Sequence, residues 1–552
     1  MRVKVFINTV LLSVMLLSSN AQSKADVYYE IANSIDIFGK VYKEITLNYV
    51  DEIDPREFML SGIKGMLDAL DPYTVYMDES NQKDIEFMTT GKYGGIGATI
   101  GLRNDRVTVV DLIEGYSAQR QGVRIGDVIV KVDSMELDEK NYDDLSLYMK
   151  GDPGTLVSVT IEREGVDEEI VFNLLREEVE VKNVTYFGFV PKESNNAYFK
   201  LSGFNRAAGE EIKKAFLELR TEKEIHSIVL DLRGNPGGLL DAAIDVADKF
   251  LNKGDVIVSV AGRDTNDITK YYADEEPIAG EVDLIVLIDK GSASASEIVA
   301  GAVQDHDRGV ILGEASFGKG LVQNVIPLTS TTSLKITTGK YFTPSGRSIQ
   351  KTNYLEESEV FVDSSGNLLK EEFRTDHNRV VYSGGGVQPD TTVSNNSESE
   401  LIRSLLAQGI FFQFATTYFN TNENLEWQNL DQEKIFQDFK SYIVEKDFGV
   451  STKVDKILRD LKKEFENGSF NDSVQERFNE FESELQKQKR NELDYYKTEV
   501  LAQLHKEISA RTDGRIGRVE ASFNYDNQLD TAVRILGSRD SYLSILALAE
   551  QQ

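Results

Sequence analysis

A continuous apolar strand runs through a small-residue turn into a helix, and this chain does it twice. "SIVLDL" (Ser227–Leu232) meets "RGNPGG" (Arg233–Gly238) and then the helical "LLDAAIDVADKFL". "DLIVLID" (Asp283–Asp289) meets "GSASAS", and a helix follows whose apolar face is Ile298, Val299, Ala302 and Val303. "GVILGE" is a third strand. Strand, turn and helix in alternation imply a βαβ layer over about 196–346, with reactive groups expected at the carboxyl ends of the strands.

The flanking regions differ in character. Residues 26–90 read as helical, with Ile35, Phe38, Val41 and Ile45 at helical spacing and a second pattern, Phe58 to Leu70, that stops at Asp71-Pro72. Residues 91–180 read as a compact module of strands ("YGGIGATIGL", "RVTVVDLI", "DVIVKVDSMEL", "LVSVTIERE", "EEIVFNLLR") with one short helix, "NYDDLSLYMKG". Residues 351–385 are polar without a clear period and read as an inserted loop. Residues 397–552 are charged and helical. Their stripe Val474, Phe478, Phe481 and Leu485 suits partner packing, and the lone Trp427 suits a core or an interface. With 552 residues, three or four domains are expected.

Composition narrows the function. A formal net charge of −31 argues against a nucleic-acid partner. The absence of cysteine excludes disulfides, thiolate metal sites, a cysteine nucleophile and a lipidated N-terminal Cys. The start, "MRVKVFINTVLLSVMLLSSNAQS", has the basic, apolar and small-residue regions of a secretory signal, with cleavage expected after Ala21 and an uncleaved anchor as the alternative. The protein is therefore expected to be exported, to a periplasm or cell envelope.

Ser294 follows a buried strand and precedes a helix. The free N–H groups and dipole of a helix start favour developing negative charge, and the Ala295 N–H can point at an oxyanion. A serine needs a base. Of the four histidines (His226, His306, His377, His505), His306 is nearest in sequence, but twelve helical residues place it roughly 18 Å away. Asp305, about 16 Å away by the same reckoning, can act only behind other residues. A Ser-His-Asp triad finds little support. Lys319, between Gly318 and Gly320 in "GEASFGKGLVQ", is a candidate base if buried among Phe317, Leu321 and Val322. On an extended segment Gln323 points to the same side and can orient the amine. "RGNPGG" is either a plain strand-to-helix turn or the source of a second oxyanion N–H, from Gly237 or Gly238.

Taken together, "GSASASEIVAGAVQD", "SFGKGLVQ", "DLRGNPGG", "YFTPSGRSIQ" with "GGVQPD", and "LDALDPYTVYM" resemble the carboxyl-terminal processing peptidases, the tail-specific serine proteases of family S41. The resemblance covers roughly 35–395. It implies an α/β multidomain protein: a signal peptide (1–21), an N-terminal helical region (26–90), a PDZ domain (91–180), a ClpP/crotonase-like protease core (181–396, interrupted by 351–385) and a C-terminal helical domain (397–552). It further implies Ser294 as nucleophile and Lys319, 25 residues on, as its base. Gln323 matches the lysine-orienting glutamine, and Asp305 matches an aspartate that supports activity in some members. The PDZ domain would read a free C-terminus through the matching loop Tyr93, Gly94, Gly95, Ile96 and Gly97, whose N–H groups cradle a carboxylate. "GVRIGD" (Gly122–Asp127) resembles the turn after a PDZ domain's short helix. Ser316 stands where the family often has Thr.

The expected activity is that of a serine endopeptidase acting on exported proteins with free C-termini, without metal or nucleotide. An adaptor and a homodimer or larger homo-oligomer are the expected further partners, with the C-terminal domain used for dimerisation or docking. The competing classes are a catalytically silent PDZ scaffold and an acyl-CoA-handling crotonase relative.

Overall fold

A computed structural model describes residues 26–547 apart from 138–144, 265, 356–357, 360–370, 395–398, 423–424, 447–456, 459 and 464–471. The expected signal peptide lies outside the described residues, as does much of the insertion. The chain divides into two units: the residues up to Asp78 with Gln323–Thr337, and Glu79–Val322 with everything from Thr338 onward.

In the first unit, a helix over 26–48 precedes the helix Pro55–Leu67. Asp54 caps the second, accepting from the N–H groups of Arg56 (2.7 Å) and Glu57 (3.0 Å). The expected helical run is interrupted there and resumes, in the second unit, with the helix Glu79–Thr90. Asp71 takes the N–H groups of Tyr73 and Thr74, and the chain then runs as a strand, Val75–Met77, paired antiparallel with Ser333–Lys335.

The second unit is organised by a six-stranded sheet whose spatial order follows the chain: β1 (Val184–Phe189), β2 (Asn196–Leu201), β3 (Ser227–Asp231), β4 (Asp283–Ile288), β5 (Val310–Gly313) and β6 (Thr391–Thr392). Only the β1–β2 pair is antiparallel. The crossovers are α1 (Ala208–Glu222), α2 (Leu240–Asp248) and α3 (Ala295–Asp305). Side chains alternate along each strand. Ile228, Leu230, Leu284 and Val286 join the three helices in one core. Val229, Ile285, Leu287 and Leu312 face the other way. The sequence shows β3 and β4 as unbroken apolar runs because both faces are covered.

The second cover is a finding. α4 (Gly514–Phe523), α5 (Asn527–Leu536) and α6 (Arg539–Ala547) belong to the C-terminal helical region, and Leu529, Ala532, Ile535 and Tyr542 pack on the core sheet. The Tyr542 hydroxyl sits 3.1 Å from both the N–H and the carbonyl of Leu284. The remaining C-terminal helices form their own core around Phe411, Phe436, Phe439 and Leu504, where Trp427 is buried and donates to Asp513 (2.6 Å). The region expected to serve a partner surface therefore completes the fold first.

Residues 98–175 form the expected module. Its strands Ala98–Arg103, Arg106–Leu112, Val128–Val132, Leu156–Glu162 and Ile170–Leu175 make one antiparallel sheet around Val109, Ile129, Val159 and Ile161. Short helices at Ser117–Arg120 and Leu145–Met149 accompany it, and the Gly122–Asp127 turn follows the first. In the described part of the insertion, Glu372–Arg374 and Val380–Tyr382 pair as a hairpin where a loop was expected, and Arg379 ties it to Asp307 and Asp390.

Leu529 is 1 % exposed between α5 and the core sheet. Leu529→Ala should cost about 2–5 kcal/mol, read as a lower denaturation midpoint of the whole protein. A change confined to the C-terminal helices would show that they fold apart from the core.

Candidate active site

Ser294 ends the turn after β4 and caps α3 with φ 55° and ψ −112°. A non-glycine residue with such φ is strained by roughly 1–3 kcal/mol and persists only where its surroundings impose it. Those surroundings are visible. The Ala293 N–H donates to the Asn235 carbonyl (3.0 Å), and the Ser296 hydroxyl donates to the same oxygen (2.9 Å). The turn after β3 thus grips the turn after β4.

The strongest constraint is Glu297, which the sequence reading passed over. Its carboxylate is wholly buried. Oε2 accepts from the N–H groups of Ser294 (2.8 Å) and Lys319 (2.9 Å); Oε1 accepts from the Ser316 hydroxyl (2.5 Å) and the Gly318 N–H (2.7 Å). The Ser294 and Lys319 nitrogens share one acceptor, so they lie no farther apart than those two distances together, 5.7 Å. On the other side, the hydroxyl of buried Tyr341 sits 3.1 Å from the Ser294 carbonyl and 2.5 Å from the Lys319 carbonyl. Both peptide groups of the expected dyad are therefore pinned to each other. A signal for Glu297 was present: Ser294-x-x-Glu297 has the spacing of a capping box. Tyr341 opens the quoted stretch "YFTPSGRSIQ".

Ser316 also accepts the Val387 N–H (2.7 Å). Its job is that of a buried hydroxyl, which either Ser or Thr performs. Lys319 is half-buried, flanked by Gly318 at φ 91° and by Gly320, whose N–H donates to Gln350 (2.6 Å). Gln323 lies on the strand Leu321–Pro327, and its amide donates to Thr337 (3.2 Å).

The oxyanion candidates separate. The Ala295 N–H, first in α3, donates to nothing among the described residues, as expected of a helix start. Gly237 has φ 98°, and a Cβ there would meet the Ala293 carbonyl at 2.6 Å, the Ala295 nitrogen at 2.8 Å and the Ser294 Cβ at 2.9 Å. Only glycine fits against the serine. However, the Gly237 N–H donates to its own turn, to Asn235 Oδ1 (2.9 Å). Gly237 is corrected accordingly: it makes room and does not offer its N–H. The Gly238 N–H has no partner among the described residues.

Asp305 sits at the far end of α3, paired with Arg347 (2.8 Å) and accepting the Ser345 N–H (3.0 Å). It fixes the "TPSGR" turn and has no contact with Ser294 or Lys319. His306 is held by Asp376 (2.7 Å) and the Val256 carbonyl (2.7 Å).

In the glycine-rich loop, Tyr93, Gly94 and Gly95 belong to a strand, Lys92–Gly95, paired with Glu177–Glu180. This pairing orders the first half of the loop, and the Gly94 carbonyl accepts the Gly151 N–H (3.1 Å). Ile96 and Gly97 are outside any strand, and their N–H groups donate to nothing among the described residues, while their carbonyls accept from Ala118 (3.0 Å) and Ile113 (2.8 Å). Gly97 has φ 78°, and a Cβ there would lie 2.3 Å from the Tyr116 Cβ.

Comparison with known proteins fits this geometry. The profile of Peptidase family S41 matches residues 195–360, that of the PDZ domain 94–174, that of the probable PDZ-protease C-terminal helical domain 401–536, and that of the activating protease CtpB N-terminal domain 8–81. A carboxy-terminal-processing protease of Bartonella bacilliformis is 39% identical over 342 residues, covering 61% of this chain and 77% of the relative. The chain belongs to the carboxy-terminal processing proteases. Carboxy-terminal processing protease CtpB of Bacillus subtilis is 31% identical, covering 62% and 72%. Among solved structures, the photosystem II D1 C-terminal processing protease is 29% identical, covers 64% of this chain and 85% of its own, and has a TM-score of 0.37. The family is one of serine-type peptidases, with a PDZ domain and a C-terminal helical domain here.

Burial pushes the Glu297 carboxyl up to about 7, against four hydrogen bonds that favour its charged form. Since the folded protein holds this proton more tightly than the unfolded chain, the stability it contributes is present below about 4.5 and lost as pH rises through about 7. Relative to Glu297→Gln, the wild type should gain about 3 kcal/mol of stability as pH falls over that window. Wild-type peptidase activity should fall over the same window, because protonation removes an acceptor. Denaturation and rate measured against pH in both proteins check the opposite signs. Gly237→Ala should lose about a hundredfold in kcat/KM on a peptide substrate, because its Cβ would push the Ser294 turn out of place.

Proposed function

We propose that this protease cuts with a Ser294/Lys319 dyad and selects substrates by their free C-termini. Lys319 Nζ takes the Ser294 hydroxyl proton as Oγ attacks the scissile carbonyl carbon. The oxyanion forms against the Ala295 and Gly238 N–H groups. Collapse breaks the C–N bond, and the Lys319 ammonium returns the proton to the leaving amine. Water then attacks the acyl ester, giving a proton to Lys319, which returns it to Ser294 Oγ as the ester C–O bond breaks. Gln323 keeps the lysine-orienting role that the family motif implies.

The observation that carries this reading is the double tie of Ser294 and Lys319 through Glu297 and Tyr341. Two residues 25 apart in sequence are fixed as a pair, with the first free helix N–H beside them. The one-way winding of the sheet, with α1 to α3 all in one core, supports a core of the ClpP/crotonase type. The free N–H groups of Ile96 and Gly97 support tail recognition. The N-terminal pattern supports export to the periplasm or cell envelope, where unfolded or tagged exported proteins are the substrates.

Hydrolysis of an unfolded protein with an apolar free tail tests the reading. Ser294→Ala and Lys319→Ala should each abolish cleavage, and amidation of the tail should weaken it in the wild type. Cleavage surviving in Ser294→Ala would remove the nucleophile. Binding of the tail without cleavage by the wild type would favour a scaffold.

A further inference from the structure

Arg233 opens the turn whose Gly237 lies against Ser294, and its guanidinium has five N–H donors. All five are taken. Asp231 accepts from Nε (2.9 Å) and Nη2 (2.7 Å). Asp526, at the corner between α4 and α5, accepts from Nη1 (2.8 Å) and Nη2 (2.6 Å), and Gln528 Oε1 accepts from Nη1 (2.9 Å). Three of the five acceptors therefore come from the C-terminal helical region, 293 and 295 residues away. Lys200 reaches Asp231 (3.2 Å), so two cations and two carboxylates balance in a cluster whose Asp231 side chain is fully buried. Asp526 is itself fixed, because Oδ1 caps α5 by accepting the N–H groups of Gln528 (3.1 Å) and Leu529 (3.0 Å).

The same helical segment reaches the PDZ module at its other end. Arg515, in the first turn of α4, donates through Nε to Asp111 (2.6 Å). Asp111 lies opposite Thr99, on the strand that pairs with the one leaving the Tyr93–Gly97 loop. Beside this contact lies a cavity of about 2340 Å³ bounded by Ile113 and Tyr116 of the PDZ module, β1, and Arg515, Ile516, Glu520 and Phe523. One ten-residue helix and its corner thus run from the PDZ module to the oxyanion turn, while the module also rests on neighbouring helices through Ile125, Phe412 and Ala510 and through Glu164, which accepts from Thr417 (2.9 Å) and Asn420 (3.3 Å).

We propose that the segment Arg515–Gln528 is a strut that holds the oxyanion turn in register with the PDZ module, with Asp526 as its positioning residue. The inference rests on the protease reading above. Asp526 touches no substrate and acts through Arg233. A bidentate carboxylate fixes the guanidinium plane, and the backbone of Arg233 leads directly into Gly234–Gly238. Displacement of the PDZ module moves Arg515, and the helix carries that movement to Asp526.

The test uses the full chain and substrates with free or amidated tails. Asp526→Asn should lower kcat by about 10- to 100-fold with KM within about twofold, and Asp526→Glu should restore most of it. A fluorophosphonate should label Ser294 correspondingly slowly in Asp526→Asn. Arg515→Ala should bind a tail peptide within about twofold of the wild type, yet lose several-fold of the preference for free over amidated substrate. Wild-type kcat in Asp526→Asn, or a loss that Asp526→Glu does not rescue and that follows only the unfolded fraction, overturns the positioning role. A lost preference in Arg515→Ala explained wholly by weaker peptide binding overturns the strut. Cleavage by Ser294→Ala instead overturns the dyad, a result the Asp526 variants do not mimic.

Discussion

A carboxylate taken out of water is costly unless donors surround it, and Glu297 is surrounded by four. No two of those donors are neighbours by accident of a helix. One is the serine's own N–H, one a hydroxyl after β5, and two are the backbone groups leading to Lys319. If the charge is to be solvated, the loop after β5 must lie against the start of α3. The closeness of the Ser294 and Lys319 backbones, on which the proposed dyad rests, is thus a by-product of satisfying one buried acid. It also explains the local composition. Gly318 adopts φ 91° with the Gly386 nitrogen 3.1 Å from where a Cβ would be, so the loop can curl around the carboxylate only as glycine.

What the sequence displayed was what short range encodes. The strands Ser227–Asp231 and Asp283–Ile288 and the helix Ala295–Asp305 were legible because their apolar periods are local. The motifs that carry Ser294 and Lys319 were also legible, each being contiguous, and their backbones do meet at Glu297. Strands Val184–Phe189 and Asn196–Leu201 escaped the reading, because "VTYFGF" and "NAYFKL" mix polar and aromatic residues without a clean run. The two turns after β3 and β4 were both noticed, but not which N–H each would keep. That depends on Asn235, whose side chain closes its own turn on Gly237 and donates to the Leu201 carbonyl (2.8 Å).

Long-range ionic contacts were illegible for a different reason. Arg233 is one of many charged residues, and nothing local marks it as buried. Its environment is set by Asp526 across most of the chain. Burial alone would push Asp231 up, yet Arg233, Lys200 and their hydrogen bonds hold it well below the usual carboxylate range. Such a cluster is stable only when complete, since removing one partner leaves a buried charge unpaired. The C-terminal helices are therefore electrostatic as well as apolar partners of the core. Within the stripe Val474, Phe478, Phe481 and Leu485, Phe478 is buried and Phe481 is 55 % exposed, so only part of it faces outward.

Two kinds of constraint thus converge on the turn beside Ser294. From below, Glu297 and Tyr341 fix the serine and the lysine by their backbones, so the strained φ of Ser294 is imposed by groups inside the core. From above, Arg233 holds the glycine turn by bonds to residues outside it. The first set lies on α3 and on the strand Ser333–Phe342, both buried against the core at these residues. The second set depends on where α4 lies, and α4 also carries the PDZ contact. In the proposed reaction a rigid Ser294 beside an adjustable glycine turn would allow control, because a misplaced N–H weakens the transition state without unfolding the site. The division of labour between the internal acid, Glu297, and the external acid, Asp526, has that form.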